Sequence, residues 1–360
     1  MATIERAMRE RYFDNAATTP VDPRVLEEML PYFADDFGNS ESIHSFGQKA
    51  HAAVEQARER VATLLGAEDP SQVVFTSGST ESCNWVIRLF ESGSISPFEH
   101  SAVREPALAK GFTVLENESW NLSEPSPRGR GQGEGLLAVM SVNNETGAIL
   151  HPPESSSRLL CDATQALGKI PVHLADFTAF SAHKLYGPKG IGGLCLLEPV
   201  DEPSQRGGQQ EFGLRAGTLN VPGIVGFGAA CAIAEQEMEA DYTTALELRQ
   251  TVVKSLEPLS DWQANDGPNQ SPFILSLSFA GVEGESLVID LDAKGFATSA
   301  GAACSSRSTE PSHVLVALRL EESLRRGTVR ISFGRFNTPE SAADLGLNLL
   351  LSVQKLRTMR

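Results

Sequence analysis

Residues 180–193 read FSAHKLYGPKGIGG. An apolar, strand-like run ends in a histidine–lysine pair, and glycines crowd the positions that follow. A surface lysine needs no such setting, whereas a lysine that makes and breaks a covalent bond does. Glycines after it let the backbone come close to whatever the lysine holds. The run DFTAFS (176–181) before the lysine and GGLCLLE (192–198) after it both read as strands. In α/β sheets, ligands gather at the carboxyl ends of the strands, which is where Lys184 would stand.

Strand and helix signals alternate outward from this point through the first two thirds of the chain. SFGQKAHAAVEQARERVATLLG (45–66) puts Ala50, Val54, Ala57, Val61 and Leu64 on one helical face, with Gly66 as the stop. QVVFTS (72–77) is a short buried strand, and a helix begins near Thr80. FTVLE (112–116) and LLAVMSV (136–142) are further strands, and residues 117–135, which contain GRGQGEG, read as a surface loop. Such alternation implies a mostly parallel sheet with helices on its faces. A long helical pattern from about 220 to 259, closed by Pro258, ends it. FILSLSF (273–279), a helix over 284–293, a strand over 328–332 and an amphipathic helix from 338 then describe a small α+β unit.

Two more stretches bear on Lys184. VVFTSGSTES (73–82) is a strand, a Ser/Gly/Thr turn and a helix start. It either caps a helix in the ordinary way or offers backbone N–H groups and hydroxyls to a phosphate. In LLCDATQALGK (159–169), Asp162 follows an apolar run, as either a hydrogen-bonded structural aspartate or a functional one. A phosphate cradle, a carboxylate and a lysine at three strand ends are together what pyridoxal 5'-phosphate requires. The lysine forms the Schiff base, the carboxylate keeps the ring nitrogen protonated, and the turn holds the phosphate.

YFDNAATTPVDPRV (12–25), FTSGSTES (75–82), VNNETG (142–147), DATQALGK (162–169), FSAHKLYGPKGIGG (180–193), RAGTLN (215–220), ACSSRSTEPSHVL (303–315) and VRISFGRF (329–336) complete the pattern. In this order, across nearly the whole chain, they resemble cysteine desulfurases of the NifS/IscS type, class V aminotransferases of fold type I. The resemblance implies a large pyridoxal-phosphate-binding domain over 15–245 with a mostly parallel seven-stranded sheet. Residues 1–14 and 246–360 would form a small domain carrying the catalytic cysteine. It makes Lys184 the Schiff-base lysine, Asp162 the partner of the pyridine nitrogen and His100 the imidazole stacked on the ring, which also helps proton transfer. Asn144 and Gln165 take positions near the ring hydroxyl, and Ser79, Thr80, Ser181 and His183 take phosphate positions. Thr218 reaches the phosphate from the other subunit of a homodimer. Arg330 grips the substrate carboxylate, with Asn144 beside it, and Cys304 is the nucleophile that takes the sulfur. Two connections, 117–135 and the fourteen residues between Gly147 and Asp162, are shorter than the family's usual ones.

Composition bounds the reading. The 360 residues carry a formal charge of −16, which argues against nucleic acid as a main ligand. The first twenty residues hold no apolar signal core, and no apolar run suits a membrane span, so a cytoplasmic protein is expected. Five widely spaced cysteines without a CxxC pair speak against a disulfide framework or a zinc ribbon, and no metal site is expected. Cys161, Cys195 and Cys231 sit in apolar or small-residue runs as buried hydrophobes. The implied reaction turns L-cysteine into L-alanine, with sulfur passing through Cys304 to an iron–sulfur scaffold or a tRNA-thiolation protein. Selenocysteine lyase, another class V aminotransferase or lyase acting on a small amino acid, and a catalytically silent sulfur-relay protein are the alternatives.

Overall fold

The computed structural model describes residues 8–123, 135–155, 157–300 and 312–359. The larger sheet is built from β1 (Val73–Thr76), β2 (Gly93–Ile95), β3 (Thr113–Val114), β6 (Leu136–Ala138), β7 (Arg158–Asp162), β8 (Phe177–Ser181) and β9 (Gly192–Leu196). A hairpin of β4 (Glu116–Glu118) and β5 (Asn121–Ser123) interrupts the series. The seven strands lie in the order β1-β9-β8-β7-β6-β2-β3. From β8 to β3 all pairs are parallel, and β9 alone runs against both of its neighbours. The ten residues between β8 and β9 are too few for a crossover helix, so that connection has to reverse. Both strands are buried along their whole length, as a sheet covered on two faces requires.

The reversed strand explains Gly192. Gly192 pairs with Ser181 on one side and Thr76 on the other. A Cβ there would strike the Phe180 carbonyl and come within 2.7 Å of Gly78 Cα. Gly192 therefore lets two strands and the serine turn close on one another. Gly190 lines the cavity described below.

The helix Ser45–Leu65 buries Ala50, Val54, Ala57 and Val61 as expected, with Leu65 rather than Leu64 completing the stripe. Gly66 ends it in the left-handed region, at φ 73°. The expected loop after residue 116 begins instead as the β4–β5 hairpin. Its turn residues Ser119 and Trp120 both have positive φ, the twist a two-residue hairpin needs but one that Gly or Asn normally signals. Tertiary contacts offset the strain, since Trp120 stacks on Phe98 with ring centroids 4.7 Å apart.

The smaller sheet is antiparallel: β10 (Trp262–Ala264), β11 (Ile274–Phe279) and β12 (Thr328–Ser332). One 35-residue helix, Val221–Ser255, serves both parts. Its first half packs Ile224 and Phe227 with Phe75 and Phe180, and its second half packs Leu248 and Val252 with Phe279 and Leu349. The helix stops ahead of Pro258, since the residue before a proline avoids the helical region. The segment 12–17 also joins the two parts. Phe13 bonds Ala297 and Ser332 through its backbone, and Asp14 bridges to Ser332. No described helix is long and apolar enough to cross a membrane.

Candidate active site

β1, β7 and β8 all end on one edge of the large sheet, where they wall a cavity of about 760 Å³. That is room for a cofactor and a small substrate. At one end, the Ser77–Gly78 turn leads from β1 into the helix Ser79–Arg88, which begins without a side-chain cap. Ser181 Oγ accepts the Ser79 N–H at 2.8 Å and donates to Ser79 Oγ at 3.2 Å, which ties the ends of β8 and β1 together. Thr80 lies on the exposed side of the same turn. An uncapped helix start with two hydroxyls beside it favours an anion.

Lys184 closes the turn after β8. Its Nζ donates to the carbonyls of Ala16 and Ala17, both at 2.6 Å. His183 bonds Thr18 Oγ1 through Nδ1. Burial, and then the charges of Lys184, Lys189 and Lys169, push the His183 pKa down to about 4, so the ring is neutral at pH 7. Asp162 ends β7, nearly buried, and accepts the Thr164 N–H at 3.0 Å. The Thr164 hydroxyl is buried and has no partner among the described residues. Gln165 donates through Nε2 to Ala16 O at 2.9 Å and accepts from Lys169 Nζ at 3.1 Å.

Arg330 approaches from the small sheet. It is 2% exposed, donates to Asn144 O and to Asp14 Oδ1 at 2.8 Å each, and leaves Nε buried without a partner among the described residues. Asn143 shapes the turn that presents Asn144 by accepting the N–H groups of Glu145 and Thr146. His100 starts the helix Ser101–Ala109, and its Nδ1 accepts the Ala102 N–H. The ring proton of neutral His100 is thereby assigned to Nε2. Glu145 and Glu99 are both buried, and desolvation raises both pKa values. Ser312, Arg330 and His100 oppose the shift at Glu145. At Glu99 the Met140 N–H and Ser96 oppose it, and Oε2 has no hydrogen-bond partner by geometry among the described residues. Glu145 accepts a hydrogen bond from Ser312, as a structural group would.

The cavity thus brings together Lys184, Asp162, His100, Asn144, Gln165, Ser79, Thr80, Ser181, His183 and Arg330. Thr218 stands exposed on the loop before the long helix, away from this chain's cavity. Cys304 lies outside the described residues. Sequence reasoning singled out neither Asp14 nor Lys169, although both belong to quoted motifs. An acidic residue beside a turn and a lysine after a glycine carry no signal until the fold sets them against Arg330 and Gln165.

The residues present suit pyridoxal phosphate: an amine, a buried carboxylate, a guanidinium and an uncapped helix start belong to one cavity's lining. Residues 11–345 match the aminotransferase class-V family. The chain belongs to that family, whose members are pyridoxal-phosphate enzymes.

Within the family it falls among the cysteine desulfurases. It is 41% identical to the cysteine desulfurase IscS of Anaeromyxobacter sp. (strain Fw109-5), over 97% of this chain and 93% of the relative. It is 40% identical to the cysteine desulfurase of Rattus norvegicus, over 99% and 85%. A solved NifS-like protein superposes with a TM-score of 0.84 at 33% identity, covering 97% of this chain and 99% of its own.

Proposed function

We propose that the cavity holds pyridoxal 5'-phosphate on Lys184 and converts L-cysteine to L-alanine, leaving the sulfur on Cys304 as a persulfide. The chain is a cysteine desulfurase in this reading. One observation carries it: the Lys184 amine, the Asp162 carboxylate and the Arg330 guanidinium face a single cavity that ends in an uncapped helix start.

When bound, the cofactor supplies an electron sink for the substrate α-carbon. Asp162 would sit at the ring nitrogen, Gln165 and Asn144 at the ring hydroxyl, and His100 against the ring face. Ser79, Thr80, Ser181 and neutral His183 would surround the phosphate. Arg330, which lines the cavity, would hold the substrate carboxylate. Lys184 would move protons at the α-carbon, and His100, with its proton on Nε2, would hand one on at the substrate thiol.

In the sulfur step the Cys304 thiolate attacks the substrate sulfur. The carbon–sulfur bond breaks, a sulfur–sulfur bond forms, and a proton returns to the β-carbon to give alanine. The thiols of Cys83, Cys161, Cys195 and Cys231 are buried, and desolvation raises each pKa, which makes them poor nucleophiles and supports Cys304.

A homodimer fits the exposure of Thr218, which would reach the partner's phosphate site. The persulfide sulfur would pass to an iron–sulfur scaffold or a tRNA-thiolation protein. A cytoplasmic setting, where thiols stay reduced, suits buried unpaired cysteines.

Mass spectrometry after treatment with L-cysteine tests the reading. Wild-type protein should carry one extra sulfur on Cys304, and Cys304→Ser should keep the visible cofactor band yet lose most sulfide release with a reductant. Alanine formation without a persulfide, together with a fully active Cys304→Ser variant, would transfer the protein to the lyase or aminotransferase class.

A further inference from the structure

Bonded to Gln165, but not itself lining the cavity, is a lysine with an unusual setting. Lys169 is buried, its Nζ donates to Gln165 Oε1, and it has no carboxylate partner among the described residues. Gly168, with φ 71°, turns the chain to place it, and a Cβ at Gly168 would crowd Ala234 and Leu185. The ring of Phe273 lies 6.0 Å from Nζ. Among the described residues, the charged and titratable groups around Lys169 are Lys184 and His183, on the turn after β8, and Arg330 on β12. All are basic.

A buried ammonium among other cations is costly for stability alone, and a methionine would fill the volume without that cost. Its hydrogen bond indicates its use. An ammonium only donates, so it fixes the carbonyl end of the Gln165 amide toward itself and the NH₂ end toward Ala16 O. Ala16 O is also an acceptor of Lys184 Nζ. A continuous chain therefore runs from Lys169 through Gln165 to the oxygen that holds the cofactor-bearing amine.

We propose that Lys169 is a positioning residue: it locks the Gln165 amide and, through the shared Ala16 carbonyl and its own charge, sets the proton affinity of the nitrogen on Lys184. Burial, then Lys184 and Arg330, bring the Lys169 pKa down to about 7, so its charge changes within the working pH range. The Lys184 charge opposes the proton on Lys169, and groups coupled in this way titrate together.

The inference rests on Lys184 bearing the cofactor, and the experiment separates the two claims. The visible absorbance of the holoenzyme is titrated from pH 5.5 to 10 (roughly the span of a perturbed lysine) for wild type, Lys184→Ala, Lys169→Met, Lys169→Gln and Lys169→Arg. Wild type should show a band that titrates in two coupled steps, one of them near neutrality. Lys184→Ala should lose the band, and its retention there would overturn the parent reading instead. Lys169→Met and Lys169→Gln should collapse the titration to one step at higher pH, shifted by about one unit. Lys169→Arg, charged throughout, should give one step shifted downward. Identical titrations in wild type and the uncharged variants would overturn the inference while leaving Lys184 in its role. Failure of both uncharged variants to fold would assign Lys169 to core packing and overturn it equally.

Discussion

Two buried arginines, Arg58 and Arg330, are 3% and 2% exposed, yet they are built in opposite ways. All three nitrogens of Arg58 are engaged: Nη1 and Nη2 meet the two oxygens of Glu211 at 2.9 Å, Nη1 also reaches Val73 O, and Nε reaches Glu55. The plane of Arg58 is flanked by Phe75 and Phe212, 4.8 and 5.0 Å from the guanidinium carbon. Arg330 has one carboxylate, Asp14, one carbonyl and a bare Nε. A bare Nε alone is no mark of a ligand, because Arg335 also has one, beneath the Tyr186 ring and outside the cavity. Arg330, unlike Arg335, lines the cavity. Arg58 completes the fold, whereas Arg330, in the proposed function, meets a carboxylate that arrives from outside.

That difference predicts where each substitution is felt. Arg58→Met strands Glu211, whose side chain is wholly buried, with only the Phe75 N–H to meet it. A buried pair broken on one side costs about 3–5 kcal/mol, so unfolding in urea should show a loss of that size. The KM for cysteine of the folded fraction should not change. A stability loss below about 1 kcal/mol, the range of an exposed pair, would mean that water reaches Glu211 and that the contrast is false.

Arg330→Lys tests the other half. A lysine keeps the charge and loses the planar fork, so kcat/KM for L-cysteine should fall about 100-fold, carried mainly by KM. The visible band and the unfolding midpoint should stay close to wild type. If Arg330→Lys unfolds as readily as Arg58→Met, the two arginines do the same work.

The sequence and the structure agree best where a residue's job is local. That Lys184, Asp162 and Ser79 would lie at strand ends was legible because a strand end, a turn and a helix start lie within a few residues of each. The parallel sheet followed from alternation. β2 was missed, since Gly93, Ser94 and Ile95 carry little strand propensity and become a strand by pairing with Leu136–Ala138. The β4–β5 turn was missed because Trp120 adopts positive φ for the sake of Phe98. Asp14 was missed because its partner is 316 residues away. No local pattern reports such a contact.

Lys169 yields the smallest effect and the one whose sign is least intuitive. Its ordinary pKa, about 10.4 in an unfolded chain, falls to about 7 on folding. Between those values the unfolded chain binds the extra proton, so wild-type stability should rise as pH climbs from 7 towards 10, and be lowest at pH 6, where the buried amine is charged. Lys169→Met removes the titration. It loses the bond to Gln165, worth about 1 kcal/mol, and gains by no longer burying a charge near Lys184 and Arg330. At pH 6 the apoprotein variant should therefore be more stable than wild type by about 2 kcal/mol. The advantage should shrink steadily above pH 7 and vanish or reverse near pH 10. Urea unfolding of both proteins at pH 6, 8 and 9.5 decides the matter. A variant less stable than wild type at pH 6 would mean that the Lys169 ammonium is held by more than an amide oxygen. It would then belong with Arg58, among the charges that complete the fold.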